Sequence, residues 1–205
     1  MTILTDTWQQ SIDRLSPTPN AAAPLSQQLC QAYQSSTRHY HNLQHLQQML
    51  TLLDTIPLDD RACVTLAVWF HDAVYDSRRS DNEERSAQWA TSSLSKLKVP
   101  TAQIDRISHL ILATRSHCST TEDSDCQALL DCDLSILGTS PDQYQTYAIA
   151  IRQEYHWVND DAYRTGRSRV LQQFLDRDRI YHRPELYNYE AQARQNLQAE
   201  LTTLK

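Results

Sequence analysis

The scarcity of glycine constrains the fold of this chain more than any other sequence feature. Only Gly138 and Gly166 occur in 205 residues, whereas average usage of about 7% would give about fourteen. Tight hairpins and phosphate-cradling loops depend on glycine, so P-loop and dinucleotide-binding folds are effectively excluded. Leu, Ala, Gln, Arg and Glu recur with a period of about 3.6 residues, and alternating runs are few. We therefore predict an all-α helical bundle.

The charge balance and the cysteines limit the partners and the compartment. The chain has 19 basic and 25 acidic residues, a net charge of -6, which argues against a nucleic-acid polymer or an anionic membrane as a partner. Five cysteines occur without Cys-x-x-Cys spacing and without a secretory signal peptide, as expected of reduced thiols in a cytoplasmic protein. No apolar run approaches the ~20 residues of a membrane helix.

The stretch 66–76 carries the most informative polar pair. Five apolar residues run directly into His71 and Asp72, so this pair is expected at the edge of the core, on a predicted central helix that extends to Val74. A buried ion costs several kcal/mol or more unless a partner compensates it, and a metal ion is one such partner. The alternative is an ordinary helix end whose last turn has reached solvent.

A second group of imidazoles begins the helix that precedes this one. Asn42 is placed to cap a helix that runs to about Leu53, and His41 and His45 lie one turn apart, beside its apolar stripe. Two histidines at this spacing can hold a transition metal from one side. A histidine-rich helix start at the surface, or a core histidine bonded to a carbonyl, would give the same pattern.

Two aspartates in the segment 126–138 are separated by helical geometry. Asp131 and Asp133 are two residues apart and therefore point to nearly opposite sides of a helix. Asp133 has leucine and isoleucine three and four residues away on both sides, whereas Asp131 has more polar neighbours. We therefore expect Asp133 on the apolar face, where an unpaired carboxylate would be costly, and take it as the better metal ligand.

The order of a lone His, a His-Asp doublet and a distant Asp resembles the metal-binding pattern of the HD superfamily of metal-dependent phosphohydrolases. Longer segments resemble a bacterial branch known as predicted HD-superfamily metal-dependent phosphohydrolases, from about residue 38 to the C-terminus. The segments that carry this resemblance are 38–45, 69–76, 81–87, 131–138, 151–155 and 193–197.

The resemblance implies an HD-domain helical bundle that holds a divalent metal ion. It implies a ligand set of His45, His71, Asp72 and Asp133. These nitrogen and oxygen ligands suit Mn, Mg, Co, Ni, Zn or Fe to differing degrees. We expect one domain over 1–205, with N-terminal helices at 1–36, the metal-binding core at 37–140 and C-terminal helices at 141–205.

The activity that the resemblance implies is hydrolysis of a small phosphate ester or nucleotide by metal-activated water. Besides Asp72, the carboxylates of Asp76 and Glu83 are the candidates for taking the proton of that water. The side chains expected near the substrate or a second metal are Arg38, His41, Arg78, Arg115 and His117. Guanidinium groups suit phosphate because they can clasp it with two parallel hydrogen bonds.

Two other functions fit the same residues. The chain could be a regulatory or non-catalytic helical module that binds a ligand without turnover. An HD-type diiron oxygenase is the other alternative, although His117 is the only histidine placed to join a second metal, since His109 lies off its face. The helical surface would also permit a homodimer.

Overall fold

The structure is a computed structural model that describes residues 3–118 and 122–204. Within these two ranges all regular elements are helices, which confirms the all-α prediction. The α-helices are α1 (Ile3–Leu15), α2 (Ala23–Tyr33), α3 (Leu43–Leu53), α4 (Arg61–Phe70), α5 (Asn82–Lys96), α6 (Thr101–Ala113), α7 (Ser124–Asp133), α8 (Pro141–Glu154), α9 (Asp160–Leu175) and α10 (Glu190–Thr203). In the described residues, no helix has the length and apolar character needed to cross a membrane.

The chain divides into two compact units, Met1–Cys132 and Asp133–Lys205. The boundary falls before Asp133, the last residue of α7. This division into units does not test the expectation of one domain over 1–205, which stays a prediction.

Helix α4 is the centre of the first unit. Every residue of α4 after Arg61 is buried, and the helix contacts α1, α3, α5 and α6. Trp69 meets Trp8 of α1 edge to face, with ring centroids 5.3 Å apart. Full burial of one large apolar side chain is worth about 1.5–3 kcal/mol, so this helix organises the core as its composition predicts.

The end of α4 differs from the sequence-based expectation. The helix was expected to continue to Val74, but it ends at Phe70, and His71 is its C-cap. The next residues leave the helix because other partners satisfy their main chain. Ser86 Oγ accepts from Val74 N–H at 3.0 Å, and the Asn82 side chain bonds both Asp76 N and Asp76 O. His71 and Asp72 therefore sit where the chain turns away from the core helix.

The second unit contains α8, α9 and α10 with two 3-10 segments, Leu134–Gly138 and Pro184–Tyr189. Asn196 of α10 donates to the carbonyls of Leu137 and Thr139 at 2.8 and 2.9 Å. Gly138 is needed because a Cβ there would lie 2.6 Å from Tyr189 Cβ. A buried pair of Arg167 and Glu200 joins α9 to α10 through two hydrogen bonds of 2.7 and 2.9 Å.

Candidate metal centre

Helix α3 presents His45 from its first turn. The Asn42 side chain accepts a hydrogen bond from Gln44 N–H at 2.9 Å, which confirms the expected N-cap. This cap fixes where the helix begins and therefore which face His45 occupies. The side chain of His45 is buried among the core residues of α3.

His71 is oriented by the end of α4. Its main-chain N–H donates to Ala67 O, and its ring Nδ1 lies 2.8 Å from Val68 O. A carbonyl oxygen only accepts, so Nδ1 carries the proton of this bond. In the neutral ring, Nε2 then carries the lone pair and Nδ1 the proton, which is how metal-binding histidines are usually arranged. His71 is 1% exposed.

The polar atoms of the doublet and of His45 converge. Nε2 of His45 lies 3.3 Å from Nε2 of His71. Asp72 Oδ2 lies 3.0 Å from His71 Nε2 and 4.0 Å from His45 Nε2. Two segments that are 26 residues apart in the sequence thus bring three ligand atoms together.

Asp133 reaches the same pair of histidines from the end of α7. Ligand atoms of His45, His71 and Asp133 all lie within 4.8 Å of one another. Both histidines are buried and Asp133 is half-buried. His45 and His71 therefore lie close to one another and to both carboxylates, Asp72 and Asp133.

The chemistry and spacing of these donors fit a divalent ion. Ligand atoms about 2.1 Å from one ion are separated by about 3.0 to 3.4 Å in octahedral or tetrahedral coordination. The separations of 3.0 and 3.3 Å at His71 Nε2 agree with such edges, and the separation of 4.0 Å between Asp72 Oδ2 and His45 Nε2 is longer. Imidazole nitrogens with carboxylate oxygens suit several first-row metals and Mg.

Arg38 has a position different from the one expected for a substrate-binding residue. It is 8% exposed. Its Nη1 donates to His41 O at 3.2 Å and to Asp72 O at 2.6 Å, and its Nη2 donates to Ala73 O at 2.9 Å. The guanidinium therefore binds main chain beside the ligands in this structure.

Aromatic rings border His45 on one side. The rings of His41 and Tyr75 stack with centroids 4.1 Å apart, and the Tyr40 ring lies 4.8 Å from that of His45. His41 itself is 6.0 Å from His45 between ring centroids. His41 therefore lies next to the cluster, and its role toward the substrate stays a prediction.

The two carboxylates expected to take a proton lie on the segment after the doublet. Asp76 is exposed, and its Oδ1 accepts a hydrogen bond from Arg78 N–H at 2.9 Å. Glu83 is half-buried in the first turn of α5. Asn82 holds the main chain of Asp76 against the start of α5, so the two candidates belong to one locally fixed segment.

Three further side chains were predicted near the substrate or a second metal: Arg78, Arg115 and His117. Arg78 is exposed. Arg115 forms an ion pair with Glu84 of α5. His117 was expected to continue a face of α6, but that helix ends at Ala113 and His117 has a φ of 47°. The left-handed backbone breaks the helical spacing on which its expected position rested.

The sequence reasoning also missed several features. Asp131 was expected on the more polar face, and this was wrong because the residue is fully buried. Asn82 and Ser86, which hold the loop after the doublet, were not singled out for that purpose. The sequence places both in the first turns of a predicted helix, but the main-chain atoms that they bind cannot be read from side-chain types.

No family model, curated protein or solved structure gives a match to this chain. What the structure shows is an all-α protein in which a His-His-Asp group could hold a metal ion.

Proposed function

We propose that this protein is a metal-dependent phosphohydrolase of the HD type that acts on a small phosphate ester or nucleotide. The observation that carries the proposal is the convergence of His45, His71 and Asp72 within 4.0 Å, with Asp133 close to both histidines. These are the four positions that the resemblance assigns to the metal.

In this proposal some residues of the chain would bind the cation and others would orient its ligands. The four ligands would hold the cation, and the bond from His71 Nδ1 to Val68 O would keep Nε2 directed at it. A bound divalent cation would supply a water of lowered pKa and would polarise a phosphoryl oxygen.

The proton and the phosphate would be handled by side chains outside the ligand set. Asp76 or Glu83 would accept the proton of the attacking water. The exposed Arg78 would offer a guanidinium to the phosphate oxygens, and Arg115 would do so after exchanging its ion pair with Glu84. His41 and His117 would contact the substrate.

The test is a screen of phosphate monoesters, diesters and nucleotides with Mn, Co, Ni and Mg, measured as phosphate or alcohol release. We expect metal-dependent release that Asp72→Ala abolishes. The matched control is Asp54→Ala, because the Asp54 side chain is 73% exposed and only weakly paired with Arg61. Turnover by Asp72→Ala at the wild-type rate would remove the assignment.

The same protein sample separates the alternatives. Oxygen consumption by the iron-loaded protein, without phosphate release, would identify an oxygenase. Saturable nucleotide binding without turnover under any of the metals would identify a regulatory module, and either result overturns the hydrolase proposal.

A further inference from the structure

Arg38 connects the two segments that carry the histidine ligands. Nη1 of its guanidinium donates to His41 O, four residues before His45, and also to Asp72 O. Nη2 donates to Ala73 O, so two of the three bonds reach the residues directly after His71. The separation along the sequence is 34 and 35 residues for the last two bonds. A single side chain thus bridges the start of α3 and the end of α4.

The end of α4 has a particular need for such a donor. The last carbonyls of a helix have no partner within the helix, and a cation there is also favoured by the helix dipole. The main chain turns away at His71, so the carbonyls of Asp72 and Ala73 lie outside the helical ladder. Arg38 supplies donors to both, which fixes the peptide planes that set the direction of the Asp72 side chain.

The guanidinium is itself held in place. Its Cζ lies 5.1 Å from the centroid of the Tyr33 ring and 5.6 Å from that of Tyr75. Aromatic faces attract a guanidinium, most strongly when it is desolvated. A buried cation with fixed hydrogen bonds has little freedom to reorganise, so its position is defined by the fold and not by a bound substrate.

We propose that Arg38 is a positioning residue that sets the spacing between His45 and the His71-Asp72 doublet and thereby the affinity of the site for a divalent cation. The inference rests on the metal centre of the proposed function. It assigns Arg38 to the ligands in place of the direct contact with phosphate expected from the sequence.

Another arginine provides the comparison that isolates this role. Arg61 also donates to two main-chain carbonyls, Leu53 O at 3.2 Å and Ile56 O at 2.9 Å, at the opposite ends of α3 and α4. Lysine keeps the charge but lacks the planar fork, so a single ammonium nitrogen cannot hold the carbonyls in the geometry that two guanidinium nitrogens impose. Arg38→Lys therefore removes such contacts beside the proposed ligands, and Arg61→Lys removes the same kind of contact at the far ends of the two helices.

The experiment measures Co²⁺ binding to the metal-free protein by visible absorption, together with the melting temperature without metal. We expect Arg38→Lys to weaken Co²⁺ binding about 10- to 100-fold, the usual effect of losing a group that orients a ligand, and to change the absorption spectrum. Arg61→Lys should lower the melting temperature while its Co²⁺ affinity stays within about twofold of wild type.

The possible results separate this inference from the proposed function. Wild-type Co²⁺ affinity and spectrum in Arg38→Lys, with only a lower melting temperature, would make Arg38 purely structural and overturn the inference while the metal centre stands. Failure of the wild type to bind Co²⁺ would instead overturn the metal centre, and the inference with it.

A second variant applies if Arg38→Lys does not fold. Tyr75→Leu leaves Arg38 intact and removes one ring beside its guanidinium, a ring that also stacks on His41, at a half-buried position that tolerates truncation better than the core. Its Co²⁺ affinity should fall by at least about threefold, less than the loss expected for an orienting group itself. An unchanged affinity would overturn the positioning role.

Discussion

The carboxylates at the two ends of α7 have different neighbours. At its start, Asp125 is 2% exposed and accepts the N–H groups of Asp59 and Asp60 at 2.8 Å each, while Arg106 pairs with Asp123 and lies 3.9 Å from Asp125. At its end, Asp133 faces the imidazoles of His45 and His71.

The difference between the two ends is the kind of group that meets the carboxylate. A guanidinium and two peptide N–H groups compensate the charge at the start, which joins α7 to α6 and to the segment before α4. At the end the carboxylate meets two imidazoles, and this group of donors could hold a metal ion. We therefore infer that the start of α7 serves stability and that its end serves binding.

The largest expected effect is at the start of α7. Asp125→Ala would take the acceptor from the N–H groups of Asp59 and Asp60 and leave Arg106 with one carboxylate fewer, so the free energy of unfolding should fall by about 3–5 kcal/mol. Urea unfolding measures it, and Asp105→Ala, which removes an exposed aspartate of α6, should change it by less than about 0.5 kcal/mol. Equal effects of the two variants would show that the start of α7 is not the fixed anchor described above.

The end of α7 should respond to metal instead. Wild type at a Co²⁺ concentration of 100 times its dissociation constant should gain about 2.7 kcal/mol of stability. Asp133→Asn keeps the shape but removes the charge, so most of this metal-dependent gain should disappear. The measurement is urea unfolding with and without Co²⁺. A full metal-dependent gain in Asp133→Asn would exclude this carboxylate as a ligand.

Acid should weaken the start of α7 through Asp123. The hydrogen-bonded guanidinium of Arg106 lowers the pKa of Asp123 to about 2, below the value of about 3.9 in an unfolded chain. The ion pair therefore contributes its full stability above pH ~4 and loses it as the pH falls toward ~2. The urea midpoint of wild type should decrease over this range more steeply than that of Asp123→Asn. Parallel pH curves for the two proteins would contradict this role for the Arg106 pair.

The smallest expected effect is on thiol chemistry. Burial raises the pKa of Cys63 to about 12 and that of Cys126 to about 11, whereas Cys118 is exposed. In the folded protein Ellman's reagent should modify Cys118 first, and Cys63 and Cys126 only on unfolding, since the thiolate is the reactive form. Cys118→Ser should remove the fast phase. Rapid loss of Cys126 thiol without unfolding would show that the start of α7 opens readily.

The sequence predicted the helices because they depend on local spacing, and the resemblance selected His45, His71 and Asp133, which form a group that could hold a metal ion. A period of about 3.6 residues defines helices, and the apolar run before His71 placed the doublet at the edge of the core. Asp133 was preferred to Asp131 because of its apolar neighbours, but the expectation that Asp131 lies on the more polar face was wrong, since Asp131 is fully buried.

The features that the sequence could not supply are contacts between distant main-chain and side-chain atoms. The three carbonyls bound by Arg38 leave no mark on residue types, so its chemistry suggested phosphate. The pairing of Arg115 with Glu84, 31 residues away, is equally invisible. The end of α4 at Phe70 depends on Ser86 and Asn82, which compete for the main chain after it.

The most direct test of a metal centre at the end of α7 is anomalous diffraction from crystals of the protein grown with Co²⁺ or Mn²⁺. The account expects one strong peak about 2.0–2.3 Å from Nε2 of His45 and His71 and from carboxylate oxygens of Asp72 and Asp133. A peak at other side chains, in a protein that is fully loaded with metal in solution, would contradict the metal centre. The absence of a peak at these four residues at saturating metal would contradict it as well.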